Sequence, residues 1–199
     1  MHAFKSGVWG VLTLATWLYV APALAQSDVP QPPPAAFPQH DGSHDFDFLI
    51  GSWKAHVRSL QKRLDHSTNP NDWATYEGTE VAWKLNDSHA NFENFDIYSE
   101  KLHKRSKGSD ALRLYNPATR QWSIYLVDID GGTIDLPPMI GHFEGKRGEF
   151  YNQDVFKGRA KLTRLVWLDI SPQHARLEQS YSTDGGKTWE LNWTCDLTR

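Results

Sequence analysis

The stretch Ser182–Thr198, STDGGKTWELNWTCDLT, carries the pattern that decides the fold. Its second half alternates apolar and polar residues, and the apolar ones are Trp189, Leu191, Trp193, Cys195 and Leu197. Because successive side chains of a strand point to opposite faces, this period of two predicts a strand with one buried face. The Gly185-Gly186 pair before it tolerates positive φ, so we expect a tight turn to lead into the strand.

The turn also matches a known motif, because Ser182–Trp189 has the S-x-D-x-G-x-T-W pattern of the Asp box of sialidase propellers. In those propellers the box recurs in each blade, whereas here it occurs once. A six-bladed propeller needs about 24 strands, which at about five or six residues each would use most of residues 45–199. The motif therefore predicts a hairpin and does not indicate a glycosidase.

Outward from this hairpin, the sequence is typical of short strands separated by turn residues. The ten predicted strands are Trp53–Gln61, Ala74–Lys84, Phe92–Glu100, Ala111–Tyr115, Gln121–Asp128, Met139–Glu144, Gly148–Asn152, Lys161–Ile170, His174–Ser182 and Thr188–Thr198. The basic cluster between two of them, Lys101–Gly108, is predicted to be a solvated loop. Strands joined mostly by hairpins predict an all-β fold, a single antiparallel barrel of about 8–10 strands. A short helix capped by Asp45 or Asp47 is expected at its N-terminal end.

The N-terminal residues predict export. Lys5, an apolar run from Gly7 to Val20 and the Ala23-Leu24-Ala25 sequence form the three regions of a secretory signal. We therefore predict a signal peptide at 1–25 with cleavage after Ala25, a Pro-rich linker at 26–44 and a barrel domain at 45–199. The expected location is periplasmic or secreted. The apolar run is short for a membrane span of about 20 residues, so stable membrane insertion is not expected, although an uncleaved anchor remains an alternative.

Composition narrows the function classes. The formal net charge is −3, and the predicted mature chain keeps 20 basic against 24 acidic residues. A mildly acidic chain lacks the basic surface that nucleic acid requires, so no nucleic-acid partner is expected. Cys195 is the single cysteine, which excludes an internal disulfide and favours an inert core thiol. Ligand identity and oligomeric state stay open.

Motifs for metal or nucleophilic chemistry are weak. His40 and His44 have a spacing that chelates metals on a helix, but Gly42 and the Pro-rich linker make a preformed site doubtful. Asp128–Asp135, DIDGGTID, lacks the full pattern and distal Glu of a calcium loop and is better explained as a turn. No G-x-S-x-G elbow is present. We therefore expect no metal site, and the catalytic residues, if any, remain unknown.

A diffuse set of polar residues suggests a ligand site. These residues fall inside predicted strands, where each either faces water or points into the barrel: His56, Arg58, Glu93, Arg113, Tyr125, Arg164, Glu178 and Gln179. A few polar groups in an apolar cup are typical of a small-molecule site. From this set we predict Arg58, Arg113, Tyr125 and Glu178 as ligand-binding residues, with Trp53 and Trp193 as wall or floor.

Three functions follow from that reading. The first is an exported, non-enzymatic protein that binds a small, partly apolar molecule in the barrel lumen. The second is an isomerase, lyase or hydrolase that uses a Glu or His in the same lumen, Glu178 and His56 being the candidate bases. The third is a structural barrel without a cavity. Whether the protein is an enzyme stays open, with binding favoured.

Several stretches resemble a group of uncharacterised exported bacterial proteins with a lipocalin-like (calycin-type) barrel. They are HDFDFLIGSWKAHVR, LRLYNPATRQWSIY, GEFYNQDVFKGR and QSYSTDGGKTWELNW. The resemblance implies a lipocalin-like fold over about Asp45–Arg199 but no activity. Gly51 and Trp53 are similar to the G-x-W signature of lipocalins and nitrobindin-like haem barrels, which implies that Trp53 closes the barrel floor. Nitrobindin-like proteins hold haem with a C-terminal His, and none follows His174 here. No cofactor is therefore expected.

Overall fold

The computed structural model describes residues 38, 40–65, 69–86, 89–107 and 110–199. The predicted signal peptide (1–25) and most of the predicted linker (26–44) lie outside the described residues. Within the described part, the chain is almost entirely strand, and no helix there reaches the length and hydropathy that a membrane crossing would need.

The described residues form 12 strands. They are β1 (Gly51–Leu60), β2 (Trp73–Lys84), β3 (Ala90–Ser99), β4 (Lys104–Lys107), β5 (Asp110–Asn116), β6 (Gln121–Asp128), β7 (Thr133–Ile134), β8 (Met139–Glu144), β9 (Arg147–Phe156), β10 (Arg159–Leu168), β11 (His174–Ser182) and β12 (Glu190–Thr198). Two single 3-10 turns, Asp47–Leu49 and Pro70–Asp72, precede β1 and β2.

Ten of these strands close into a barrel. The order β2-β1-β12-β11-β10-β9-β8-β6-β5-β3 is antiparallel throughout, and the pairing of β3 with β2 joins its two ends. The short β4 pairs with β3 beyond β5, and β7 pairs with β6 beyond β8. Closure leaves no free edge in the main sheet. The predicted all-β antiparallel barrel is thus confirmed, including its lipocalin-like character.

Two local predictions need correction. Residues 104–107 of the predicted solvated loop form β4, which pairs with Asp96–Ser99. The far end of β3 offers backbone groups that need partners, and Arg105 forms an ion pair with Asp96, so charged side chains do not prevent pairing here. The predicted short N-terminal helix is present as the 3-10 turn Asp47–Leu49 and ends before Gly51, but its N-cap is Phe46, and neither Asp45 nor Asp47 caps it.

The hairpin prediction for Ser182–Trp189 is confirmed, because this segment joins β11 to β12. The Ser182 hydroxyl oxygen accepts the Gly186 N–H at 2.9 Å, and the Asp184 carboxylate accepts the Thr188 N–H at 3.0 Å and the Thr188 hydroxyl at 2.6 Å. These bonds hold the pKa of Asp184 far below its usual range. The Trp189 indole donates to the Gly186 carbonyl at 3.0 Å and so packs back onto the turn.

Part of the core forms a floor that closes one end of the barrel. The 3-10 turn inserts Phe46 and Leu49, both buried, beneath the lumen. The Phe46 ring lies 5.0 Å from the Phe143 ring and 5.1 Å from the Trp122 ring, both edge to face. Trp122 donates its indole N–H to the Gly42 carbonyl at 2.8 Å, which ties the segment before β1 to β6. This aromatic plug seals one end of the barrel and leaves the other end as a mouth.

Candidate functional site

The inner face of the barrel leaves open space above the aromatic floor. Three cavities of about 400, 280 and 300 Å³ lie between the described residues. The 280 Å³ cavity shares Gln179 and Tyr181 with the first and Arg63 and Trp193 with the third. We call it the central cavity. This space argues against the alternative of a solid barrel without a cavity.

The deep end of the central cavity contains two glutamates and an arginine. Glu80 on β2 and Glu93 on β3 line the cavity, and only 3% and 7% of their surfaces are exposed. Arg113 on β5, 2% exposed, donates to the Glu93 carboxylate at 2.5 Å. A buried ion pair of this kind needs further hydrogen bonds to offset its desolvation. Arg113 makes one by donating to the Asn91 side-chain oxygen at 3.2 Å.

Glu80 is held in its neutral form. Burial raises its pKa well above the usual range, and the charge of Glu93 raises it further, whereas Arg113 acts in the opposite direction. Burial therefore favours the protonated form of Glu80, which can donate a hydrogen bond to the Glu93 carboxylate that pairs with Arg113. The Glu80 Oε1 atom has no hydrogen-bond partner among the described residues. The cluster thus presents an unused acceptor inside the lumen.

Aromatic rings of the floor support the cationic member of this cluster. The Arg113 guanidinium carbon lies 4.9 Å from the centre of the Phe46 ring and 6.0 Å from that of Trp167. Both contacts fall within the range of cation–π attraction. The plug therefore seals the barrel and also holds Arg113, the partner of Glu93, in place.

The mouth of the central cavity is basic. The Arg63 side chain, beyond the end of β1, donates to the Tyr181 hydroxyl at 3.1 Å, the Ser59 hydroxyl at 3.2 Å and the Leu60 carbonyl at 3.4 Å. All three acceptors are neutral, and Arg63 forms no ion pair with the residues that the structure describes. Phe95, Leu165, Leu177 and Trp193 form the apolar wall between this arginine and the glutamates.

The cavity of about 400 Å³, the largest of these three, lies beside the mouth and has a paired lysine in its wall. Lys161, 5% exposed, lies 2.6 Å from the Asp154 carboxylate and 2.7 Å from the Thr163 hydroxyl. Its ammonium also lies 4.2 Å from the centre of the Tyr181 ring. Because its charge is already matched, this lysine is less available to a ligand than Arg63.

Three of the six predicted site residues lie inside the barrel. Arg113 belongs to the deep cluster, and Trp193 lines the central cavity. Trp53 is 2% exposed and donates its indole N–H to the Leu49 carbonyl at 2.8 Å, which places it in the floor. Whether any of them binds a ligand stays a prediction.

The other three lie on the outer face, so the expectation that they line the lumen is wrong. Arg58 is exposed and stacks over Trp73 at 5.1 Å. Tyr125 alternates with the inward-facing Ile124 and Leu126, and Glu178 alternates with Leu177 and Gln179. Glu178 accepts from Arg176 at 2.9 Å on that outer face.

His56, a candidate base, is also on the outer face. It is exposed and pairs with Glu77 at 2.6 Å. With Glu178 outside as well, both lumen bases named from the sequence are excluded from the lumen.

Glu80 and Arg63 were missed by sequence reasoning. The inward face of β2 has Ala74, Tyr76, Gly78, Glu80 and Ala82, whereas Val81 and Trp83 point outward. Large apolar residues of this strand therefore point outward, and hydrophobicity alone does not identify its inward face. Arg63 follows β1 in an irregular segment, where no periodicity assigns a direction. A signal for Glu80 existed in the run of small residues on its face, which leaves room for a lumen.

The weak metal motifs form hydrogen bonds instead. His40 lies 3.1 Å from Asp45, and His44 lies 3.0 Å from Asp47, so the two imidazoles have separate partners. In the Asp128 turn, the carboxylate accepts the Gly131 N–H at 2.8 Å. Within the described ranges, no three His, Cys, Asp or Glu side chains gather as metal ligands would.

Comparison with known proteins supports the fold. No family model matches the chain, and no curated protein matches its sequence. Among solved structures, the S-type phycobiliprotein lyase CPES from Guillardia theta is similar with a TM-score of 0.52 and 12% identity, over 81% of this chain and 93% of that chain. The structure of EF1p2_mFAP2b bound to DFHBI is similar with a TM-score of 0.34 and 11% identity, over 79% of this chain and 98% of that chain. At 12% identity the likeness to the lyase concerns the fold alone.

Proposed function

We propose that this protein is an exported, non-enzymatic binding protein that holds a small, partly apolar molecule in the barrel lumen. The observation that carries the proposal is the central cavity, which combines an apolar wall with a few buried polar groups. Cavities of this composition are the usual small-molecule sites of proteins. A structural barrel has no need of a carboxyl oxygen that stays buried without a partner, since such an atom costs stability.

Export is part of the same proposal and rests on the sequence of residues 1–25. Cell fractionation tests export directly. We expect the mature protein in the periplasmic or culture fraction, with an N-terminus near Gln26 by Edman sequencing. An intact N-terminus in the cytoplasmic fraction contradicts the export half and leaves the binding half unaffected.

A cavity-filling variant tests binding. We expect the purified protein to bind the dye anilinonaphthalene sulfonate with a rise in fluorescence, and native mass spectrometry to detect any co-purified ligand. Leu177→Trp places an indole in the central cavity and should abolish both signals. Leu114→Trp, on the outer face where Leu114 is 39% exposed, is the matched control and should retain them. Equal dye binding by both variants would place the dye outside the lumen and overturn the proposal.

A second candidate, acid–base catalysis in the same lumen, is favoured by one observation. The neutral Glu80 beside an ionised Glu93 is the arrangement in which enzymes keep a carboxylic acid protonated for general acid chemistry. The two functions differ in what happens to the bound molecule. If the mass or the chromatographic retention of a captured ligand changes with time in the wild type and stays constant in Glu80→Gln, the catalytic function is supported. If mass and retention both stay constant in the two proteins, the binding function is supported.

A further inference from the structure

Among the described residues, Arg63 forms no ion pair and the Glu80 Oε1 atom accepts no hydrogen bond. These two groups of the central cavity lie at different depths. Arg63 contacts Ser59, which pairs with Ala74 on β2. Glu80 lies further along the same strand toward the floor, at a distance from Ala74 of roughly 20 Å of extended chain. Both side chains nevertheless line one cavity of about 280 Å³. A ligand inside it therefore meets one group at each end.

The mouth end suits an anion. The Arg63 guanidinium is half-buried, and its hydrogen bonds go to neutral oxygens. A guanidinium fork matches a carboxylate in geometry, and the charge-assisted pair is about twice as strong as a neutral hydrogen bond. Two acids lie nearby. Glu190 is occupied by the Leu64 N–H, and Asp135 is exposed, so that water screens its charge.

The deep end suits a hydrogen-bond donor. The protonated Glu80 can donate a hydrogen bond to Glu93, which leaves Oε1 as an acceptor without a partner. A buried acceptor of this kind gains most from an O–H or N–H group, because satisfying it removes a desolvation penalty. A second carboxylate at this position would face the ionised Glu93 and be repelled.

We infer that the central cavity recognises a carboxylic acid from both ends, with Arg63 pairing with its carboxylate and Glu80 accepting a hydrogen bond from an O–H or N–H at the opposite end. The body of the ligand is apolar, since Phe95, Leu165, Leu177 and Trp193 surround it. This inference rests on the proposed lumen-binding function and adds the chemical class of the ligand.

Three probes of similar shape test the two ends of the central cavity separately. Para-coumaric acid has a carboxylate and a phenol hydroxyl at opposite ends of a flat apolar body. Cinnamic acid lacks the hydroxyl, and para-coumaryl alcohol replaces the carboxylate with a neutral group. By isothermal titration calorimetry, we expect para-coumaric acid to bind about tenfold more tightly than either relative, as one good hydrogen bond or ion pair provides.

Variants then assign each preference to its residue. Arg63→Gln should weaken both acids about tenfold and leave the alcohol unchanged. Glu80→Met should remove the advantage of para-coumaric over cinnamic acid. Glu80→Gln should retain that advantage, because an amide reproduces the neutral carboxylic acid, donating to Glu93 while its oxygen accepts from the ligand. Arg58→Gln, on the outer face, is the matched control and should bind as the wild type does.

Several results would overturn the inference. One is equal weakening of all three probes by Arg63→Gln. Another is a loss of affinity for para-coumaric acid in Glu80→Gln, because the amide offers the same neutral acceptor that the inference assigns to Glu80. If the wild type binds no probe but holds another ligand that Leu177→Trp excludes, two-ended recognition fails and lumen binding stands. If Leu177→Trp excludes no ligand, both two-ended recognition and lumen binding are wrong. Circular dichroism of each variant confirms that its barrel is intact before binding is compared.

Discussion

The clearest physical consequence of the buried glutamate pair is a pH-dependent stability that Glu80→Gln should remove. Glu80 is 3% exposed, and burial and the neighbouring Glu93 raise its pKa well above the ordinary value of 4.5. A carboxyl whose pKa is raised on folding stabilises the folded state fully below its unfolded pKa, and that contribution is lost as the pH rises through the folded-state pKa. The amide in Glu80→Gln is neutral at every pH and has no such dependence.

The magnitude follows from the single proton involved. Above pH 4.5 the unfolded chain releases the Glu80 proton, whereas the folded barrel retains it, so each pH unit costs folding about 1.4 kcal/mol. The free energy of unfolding of Glu80→Gln minus that of the wild type should therefore rise by about 1.4 kcal/mol per pH unit above pH 4.5, and level off once the folded-state pKa is passed.

Urea denaturation followed by Trp fluorescence, at half-unit steps from pH 4 to pH 8, measures this difference. Glu100→Gln is the control, because Glu100 is exposed at the end of β3 and its variant should show no rising difference. A flat difference between Glu80→Gln and the wild type across the whole range would refute the reasoning. It would mean that Glu80 ionises as an exposed carboxyl does, in spite of its burial.

Three further predictions concern the barrel itself, each checked by urea or thermal denaturation. Trp53→Phe removes the indole donor to the Leu49 carbonyl and should cost about 1–3 kcal/mol by leaving a buried acceptor unpaired; a loss no larger than that of the exposed Trp83→Phe would contradict this role. Ser182→Ala removes the acceptor of the Gly186 N–H and should cost about 1 kcal/mol, and unchanged stability would show that the hairpin turn does not need the hydroxyl. Gly78→Ala would place its Cβ 2.0 Å from the Asp96 carbonyl oxygen across the β2–β3 seam and should cost about 1–3 kcal/mol or more, whereas a neutral effect would mean that the seam can widen freely.

Local patterns were sufficient for the strands and turns. The alternation Trp189 to Leu197 predicted β12, but not its faces throughout, because a bulge beside Leu191 leaves that residue exposed and buries Asn192. The turn residues Ser182, Asp184 and Gly186 predicted the hairpin that the structure contains. Ten strands joined by short turns also predicted the barrel, because a strand with one buried face must close on its neighbours. The strand β4 was not predicted, because its charged residues show no alternation. It forms because the far end of β3 has backbone groups that need partners.

The candidate site could be predicted only in part. Glu93 and Arg113 stood out as charges inside predicted strands, but Arg58 and Glu178 stood out equally and lie outside. A charged residue in a strand has two possible faces, and only the register with its neighbours chooses between them. For Arg113 that register sets Asn91 opposite it and brings Glu93 within reach, whereas for Arg58 it sets Thr75 and Thr194 opposite.

The sequence by itself determined the class of fold, because the period of two and the turn residues act over a few neighbouring positions. Only the tertiary structure decided the chemistry of the lumen. The register of the β2–β3 hairpin brings Glu80 beside Glu93, and the pairing of β1 with β12 closes the ring around the cavity that Arg63 and Glu80 line. The pattern within one strand does not contain this information, because it depends on strand register and on contact between the two ends of the barrel domain.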